Sequence, residues 1–398
     1  MPKKKDTQNE NTDEESKVTH HLEPNKFYRD AEGHYWENRG EILPGRNFYA
    51  PAPDWAGHIN FYLFEGPEIL IEPQRKPLCK VPELWRGADP VDGGNLILTD
   101  DEKNELLRTD PQAEKFLRPY MMGRDFINRI SRWCLWLKGV EPADIRKCPR
   151  VLERIEKVRK FRLSSKSEAT RKAADTPMLF LRPRECTTDY LAIPKVSSST
   201  RKYIPIAWLP SNVIAGDKLF VCENSSLYQF GVLNSIVHMA WVRVVSGKLK
   251  IDYSYSNTLD YNAFPWPILH PTPWLKDGNP HLRAIERTAQ AILDARAKYP
   301  RSSLADLYDE RTMPPELRKA HNENDEAVMS AYGFKRHFQN EKFHEEDIVI
   351  SLMYMYKELT GCEEVKRDYP NREFWLSFYP EDADDDEEVD YDDDDGKN

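Results

Sequence analysis

DYLAIPKVSSSTRKYIPIAWL, running from Asp189 to Leu209, sets the character of the chain. Its two outer runs, DYLAIPKV (189–196) and YIPIAWL (203–209), carry the aliphatic and aromatic side chains that suit a pleated, half-buried surface. The intervening SSSTRK has no apolar residue, so it reads as a polar loop joining two strands. Short β-rich runs of the same kind lie on either side: RWCLWL (132–137) and MLFLR (178–182) upstream, KLFVCE (218–223) and KLKIDYSY (248–255) downstream. Two segments among them prefer helix. Arg150 to Phe161 puts Val151, Leu152, Ile155, Val158 and Phe161 along one face, with Arg154, Lys157, Arg159 and Lys160 elsewhere. Leu227 to Val245 is apolar nearly all round, which predicts one buried helix with His238 as a core residue. Trp133, Trp136, Trp208, Trp241 and Trp266 alternate with aliphatic residues or flank prolines, and so read as packing groups.

Further out the pattern changes. Residues 1–24 are polar with almost no apolar content and read as disordered; residues 25–57 are rich in aromatics, Gly and Pro without a usable period and stay unassigned. HINFYLFEGPEILIEP, from His58, gives two apolar segments broken at Gly66-Pro67, and a Pro-punctuated loop follows. Thr99-Asp100 then caps a helix with acids in its first turn. Beyond FPWPILHPTPW the period is helical. Asn279-Pro280 opens a helix that must end before Pro300, a second spans about 315–332 before Gly333, and a third about 345–360 before Gly361. The fold class is therefore α+β: a mixed domain over 115–267 preceded by a connector (58–114), then a small helical bundle (268–362), then a linker and acidic tail (363–398).

The 398 residues allow two or three domains on a prior of about 150 residues each. The net charge of −10 misleads, because residues 381–398 hold twelve acids and one lysine. The remaining 380 residues sum to +1, yet Lys115 to Pro205 alone has twenty-two Lys and Arg against nine Asp and Glu. A basic segment of that density is the footprint expected for a polyanion. Cys79, Cys134, Cys148, Cys186, Cys222 and Cys362 are scattered with no C-x-x-C pair, which argues for reduced thiols and against structural zinc. No apolar run of membrane-spanning length and no signal peptide is present, so the expected location is the cytoplasm, with no membrane partner.

From about His58 to Gly361 the chain resembles the C-terminal half of the MmeI-like enzymes, which combine restriction endonuclease, adenine-N6 DNA methyltransferase and target-recognition functions. The resemblance is carried colinearly by HINFYLF (58–64), KPLCKVPE (76–83), PVDGGNLILTDDEK (90–103), FLRPYMMGRDFINRISRWCLWL (116–137) and the 189–209 stretch. It continues through LYQFGVLNSIVHMAWVRVVSGKLKIDYSYSN (227–257) and FPWP to YPRSSLADLYDERTMPPELRKAHNENDEAVMSAYGF (299–334). It implies a target-recognition domain followed by a helical domain, with double-stranded DNA as the ligand. Thr200 stands where the family often carries a charged residue, which implies a different target.

In such a domain Ser197, Ser198, Ser199, Thr200, Arg201 and Lys202 form a loop able to enter a groove, where Arg or Lys donates to guanine and Ser or Thr bonds to either base type or to phosphate. Arg182 and Arg184 flank Pro183 at a strand end, and Lys248, Lys250, Tyr253, Tyr255, Ser256 and Asn257 make a second polar edge. Lys157 and Lys160 supply sequence-independent attraction from the basic helix. Chemistry is expected elsewhere. Asn279-Pro280 is not followed by the Pro-aromatic pair that holds a flipped adenine, and Asp92-Gly93-Gly94-Asn95 lacks a preceding strand, so no cofactor is expected on this chain. Pro53-Asp54 has no suitably spaced acid-x-Lys partner for a magnesium-dependent nuclease. S-adenosylmethionine is expected only on a separately encoded methyltransferase/endonuclease chain, with this chain as a split recognition subunit or a truncated remnant. The alternatives are a methyltransferase whose incomplete site a partner completes, and a binding-only antagonist of restriction whose acidic tail imitates DNA.

Overall fold

In the computed structural model residues 58–267, 279–334 and 345–361 are described in full, and strands within 27–51 by their backbone. The expectations for residues 1–24 and 381–398 lie outside the described residues. The chain divides into two compact units, one holding the N-terminal strands and the other everything of consequence from Ile69 onward. In the first, β1 (Phe27–Arg29), β2 (Tyr35–Leu43) and β3 (Arg46–Pro51) form an antiparallel meander. Its register slips between Asn38 and Leu43, which explains why residues 25–57 show no clean alternation. HINFYLFEGPEILIEP gives no strand, only an isolated bridge between Ile59 and Glu65.

Among the described residues the second unit contains three small sheets. β4 (Trp85–Arg86), β8 (Tyr190–Pro194), β10 (Ala207–Leu209) and β12 (Leu219–Glu223) pair antiparallel in the order β10-β8-β12-β4. Every residue of β8 is buried, as befits a central strand, which is why its sequence is an unbroken apolar run. β5 (Ile97–Leu98), β6 (Leu117–Met121), β7 (Trp133–Leu135) and β11 (Ile214–Ala215) make a second sheet, with β11 parallel to β6. β9 (Val196–Ser197), β13 (Gly247–Leu249) and β14 (Asp252–Ser254) make the third, ordered β13-β14-β9. MLFLR is not a strand. Only Arg182 bridges, to Asp89, and the Leu179 carbonyl is taken by a buried arginine side chain. In YIPIAWL, Pro205 cannot donate to a ladder and only the last three residues pair.

Among the helices, α1 (Asp100–Thr109) begins at Thr99 with a reciprocal capping box to Glu102, as its sequence indicates. Of the short helices, α3 (Pro142–Ile145) joins the second sheet's core with the longer α4 (Pro149–Leu163), α5 (Glu168–Lys172) packs on α4, and α2 (Gly123–Asn128) puts Phe126 and Ile127 into the core of the first sheet. On α4 Val151, Val158 and Arg162 are buried and Ile155 is half-buried, while Leu152 and Phe161 are 39% and 44% exposed. Helical spacing thus places Val151, Ile155 and Val158 correctly but not Leu152 and Phe161: the stripe ends on a buried arginine, Arg162, in place of an apolar side chain.

The expected single helix over 227–245 is two. Asn234 ends α6 (Leu227–Leu233) by returning its side-chain amide to the Phe230 carbonyl, and Ser235 caps α7 (Ile236–Val245) through the His238 N–H. In the C-terminal region α8 (Pro280–Ala297) starts from Asn279, α9 (Leu304–Leu307) is a single turn that the sequence reading did not assign, and α10 (Pro315–Ala331) packs along α8. α6 crosses α8 at Gly231, where a Cβ would come within 2.7 Å of Ile285. α11 (Glu345–Leu359) packs on α7, so the helical region shares its contacts with the mixed domain before it.

Candidate nucleic-acid interface

The polar loop leaves the end of β9, and β14 lies beside β9 with Tyr253 opposite Ser197. Because that pairing is antiparallel, the β13–β14 turn and the loop project from the same end of the small sheet. The two are tied together: the Ser199 N–H donates to Asp252 Oδ1 at 3.3 Å. Inside the loop the Arg201 N–H donates to the Ser198 carbonyl at 3.2 Å, and the Ser198 and Thr200 hydroxyls share a hydrogen bond at 3.0 Å. These local bonds leave Thr200 exposed at the tip, with Ser198 and Ser199 half-buried behind it. Ser197 is buried, its hydroxyl facing inward, and so leaves the contact set.

Arg201 is half-buried; burial lowers its guanidinium pKa, against the pull of Asp252 and Asp309. The Lys202 ammonium lies 3.7 Å from Asp325 Oδ2 on α10 and keeps 34% of its side chain exposed, so it is tethered with one side open. Asp325 is the hub behind the loop. It accepts from the Tyr203 hydroxyl and from the Ile236 N–H, each at 2.7 Å, and burial pushes its pKa up to about 6 against those bonds and the Lys202 charge. Arg243 donates to the Lys202 carbonyl at 3.1 Å and pairs with Glu345 at 2.7 Å. Just past the loop, buried Arg296 donates to the Ile206 carbonyl at 2.6 Å, and its partner Tyr308 meets His321 Nε2 at 2.8 Å. Tyr203 stacks on His321 with ring centroids 4.1 Å apart. The loop therefore stands on a polar platform supplied by α8 and α10, the rigid support that a reading surface requires.

Asp325, Arg296 and His321 were not singled out from the sequence. A signal was present: Asn324 and Asp325 sit in register with Leu317, Ala320, Val328 and Ala331, so polar groups interrupt the apolar stripe of α10.

The other residues divide. Lys248 and Lys250 are exposed on the hairpin beside the loop, Lys248 with its ammonium 3.5 Å above the Tyr253 ring. Tyr255, expected on that edge, is only 1% exposed and its hydroxyl meets His238 Nε2 at 3.0 Å; it belongs to the core, because the β14 alternation turns it inward. Asn257 is half-buried at the first position of a π-helical turn, Asn257–Tyr261, and its carbonyl accepts from the Asn262 N–H. Arg182 lies 3.6 Å from Asp89, and Arg184 stands over the Trp85 ring at 5.6 Å. Lys157 and Lys160 lie on α4, over the second sheet, with Glu153 at 2.9 Å and Glu156 at 4.0 Å. Glu153 and Glu156 thus temper the basic face of that helix. The tryptophans pack as expected, Trp241 and Trp266 fully buried and Trp208 tilted on Phe230 at 5.0 Å.

In the Asp92–Asn95 loop the backbone donors are turned onto the chain's own carboxylate. The Asp92 carboxylate is occupied by the Gly94 and Leu96 N–H groups, and a Cβ on Gly93 would meet the Phe161 ring at 2.8 Å. Among the described residues no group of three or more His, Cys, Asp or Glu is placed to hold a metal, and no helix is long and apolar enough to cross a membrane. The five described cysteines are buried and free, and burial pushes the Cys79 and Cys186 thiols up to about 12, far from the thiolate form a reactive cysteine needs.

Comparison with known proteins places this geometry. A family model described as the MmeI target recognition domain matches residues 65–268, and one described as the MmeI C-terminal domain matches residues 278–362. DNA methyltransferase A of Bacillus subtilis (strain 168) is 34% identical over 303 residues, covering 76% of this chain and 33% of its own length. The solved structure of the type IIL restriction-modification enzyme MmeI in complex with DNA is similar with a TM-score of 0.71 and 40% identity, over 82% of this chain and 41% of that one. The chain thus spans about a third of the curated relative and 41% of the solved one.

Proposed function

Because the chain belongs to the MmeI family, carrying its target recognition and C-terminal domains, we propose that it is the sequence-specific DNA-recognition part of an MmeI-like adenine-specific DNA methyltransferase or restriction-modification system. The observation that carries this reading is the projection of the Ser198–Lys202 loop and the Lys248/Lys250 hairpin from one end of one sheet, inside the matched recognition segment. Thr200, and Lys202 with its ammonium aimed by Asp325, offer hydrogen-bonding groups to base edges; Lys248 and Lys250 offer charge to phosphates. Arg182 and Arg184 serve as flanking phosphate contacts, and Lys157 and Lys160 add long-range attraction.

Methyl transfer and phosphodiester cleavage are assigned to residues outside these 398, on a methyltransferase/endonuclease chain that binds S-adenosylmethionine. The missing Asn-Pro-Pro-aromatic motif and the engagement of the Gly94 and Leu96 N–H groups by the Asp92 carboxylate support that division. Selection of bound duplexes from a randomised pool by the full chain, alone and with an MmeI-type methyltransferase, tests the reading. Enrichment of one short motif is expected; retention of duplexes without any enriched motif in both arms overturns it.

A further inference from the structure

The β13–β14 hairpin breaks three local rules at its tip. Its two-residue turn, Lys250-Ile251, holds Lys250 at a φ of 60°, a left-handed conformation that Asn or Gly would adopt with less strain. Leu249 and Ile251, on either side of Lys250, are 57% and 74% exposed. A turn is ordinarily polar, and single exposed apolar side chains need no explanation; two at one tip, on a strained backbone, do. The tip is flanked by lysines, Lys248 and Lys250, and stands beside the polar loop to which Asp252 ties it.

We propose that this hairpin is a DNA wedge, in which Leu249 and Ile251 press onto the bases of the duplex and partly open one base step while Lys248 and Lys250 hold the phosphates on either side. Apolar wedges at base steps are a general means by which proteins bend or unstack DNA, and the flanking charges supply the attraction that brings an apolar tip to a polyanion. The loop alongside would then read a locally opened groove, so the wedge contributes through deformability as well as contact. The proposal rests on the DNA-recognition reading above and adds to it a distinct mechanical element.

The test uses the full chain on a closed circular plasmid relaxed by a topoisomerase in its presence, which needs no knowledge of the recognised sequence. The parent protein is expected to shift the linking-number distribution of the plasmid. A Leu249→Ser/Ile251→Ser variant, whose melting temperature should match the parent because both side chains are exposed, is expected to lose the shift and to bind about tenfold more weakly with the salt dependence unchanged. A Lys248→Gln/Lys250→Gln variant should instead lower the salt slope by roughly one unit per lysine while keeping a shift at saturation. Binding by the parent without a shift, or the same shift and affinity from the double-serine variant, overturns the wedge and leaves the recognition reading standing. A double-serine variant that binds plasmid as the parent does but no longer associates with a methyltransferase chain overturns it in favour of a protein interface. Failure of the parent to bind plasmid at low salt, both alone and with an MmeI-type methyltransferase, sinks the recognition reading, and the wedge with it.

Discussion

Replacing Arg162 by Met should cost about 3–5 kcal/mol, because it leaves buried backbone carbonyls without a donor at about 1–3 kcal/mol each, offset in part by the desolvation that the guanidinium itself costs. The side chain is wholly buried at the C-terminal end of α4 and donates five hydrogen bonds, all to backbone carbonyls. Nε reaches Val91 at 3.0 Å; one terminal nitrogen reaches Ala173 at 2.9 Å and Thr176 at 3.2 Å; the other reaches Pro90 at 2.8 Å and Leu179 at 2.7 Å. Three segments outside the sheets, at 90–91, 173–176 and 179, are thereby held to one planar group. Methionine of similar length fills the space but offers no donor; the Pro90, Ala173 and Thr176 carbonyls keep a backbone N–H, and those of Val91 and Leu179 lose the arginine's. The separate worth of the arginine's bonds, about 1.5–3 kcal/mol for each charged bond, cannot be summed, because burying the guanidinium is itself unfavourable and carbonyls tolerate a lost partner better than N–H groups do. Arg162→Lys, with at most three donors from a point charge, should recover about half of the loss. Urea unfolding at unchanged m value is the assay, and at roughly 2–4 °C per kcal/mol the Met variant should melt about 10 °C lower. A Met variant within about 1 kcal/mol of the parent, or full recovery by Lys, would refute the claim that the five-way fork organises this region.

Three further outcomes are expected. Lys202→Ala should relax selection at one position of the bound motif by about 1–3 kcal/mol, and Asp325→Asn should relax the same position because it releases the ammonium; a randomised-site selection showing different positions affected would separate the two residues. Lys157→Ala and Lys160→Ala should weaken binding to all sequences alike and reduce the salt slope by about one unit each or less, given their glutamate neighbours, and a changed motif would contradict that role. Asp260, whose buried carboxyl is pushed up to about 8 by desolvation, binds its proton more tightly folded than unfolded, so its contribution to stability is full at acid pH and declines as pH rises from about 4 to 8. The stability of the parent relative to Asp260→Asn should therefore fall by about 1.4 kcal/mol per unit between pH 5 and 7, and parallel pH curves would remove the shift.

What the sequence made legible follows from what periodicity can report. Caps and breakers are local chemistry, so Thr99, Asn279, Gly333 and Gly361 marked their helix ends correctly. A polar substitution inside an apolar period looks like noise from sequence, which hid Arg162 on α4 and Asp325 on α10, two residues that do most to fix the loops around them. The site residues show the same limit from the other direction. Ser197, Tyr255 and Thr200 are all polar residues near strand ends, and only strand register decides that the first two turn inward and the third outward. Register in the small sheet depends on pairing between residues more than fifty positions apart, which no local pattern encodes. The exposed Leu249 and Ile251 invert the lesson. They belong to a run whose composition reads simply as strand, and they become informative only when the structure puts them on a strained turn beside the Ser198–Lys202 loop. The proposed recognition surface is built from residues that contradict their local pattern, so the exceptions to periodicity, polar groups within and apolar groups without, mark where the fold is specialised.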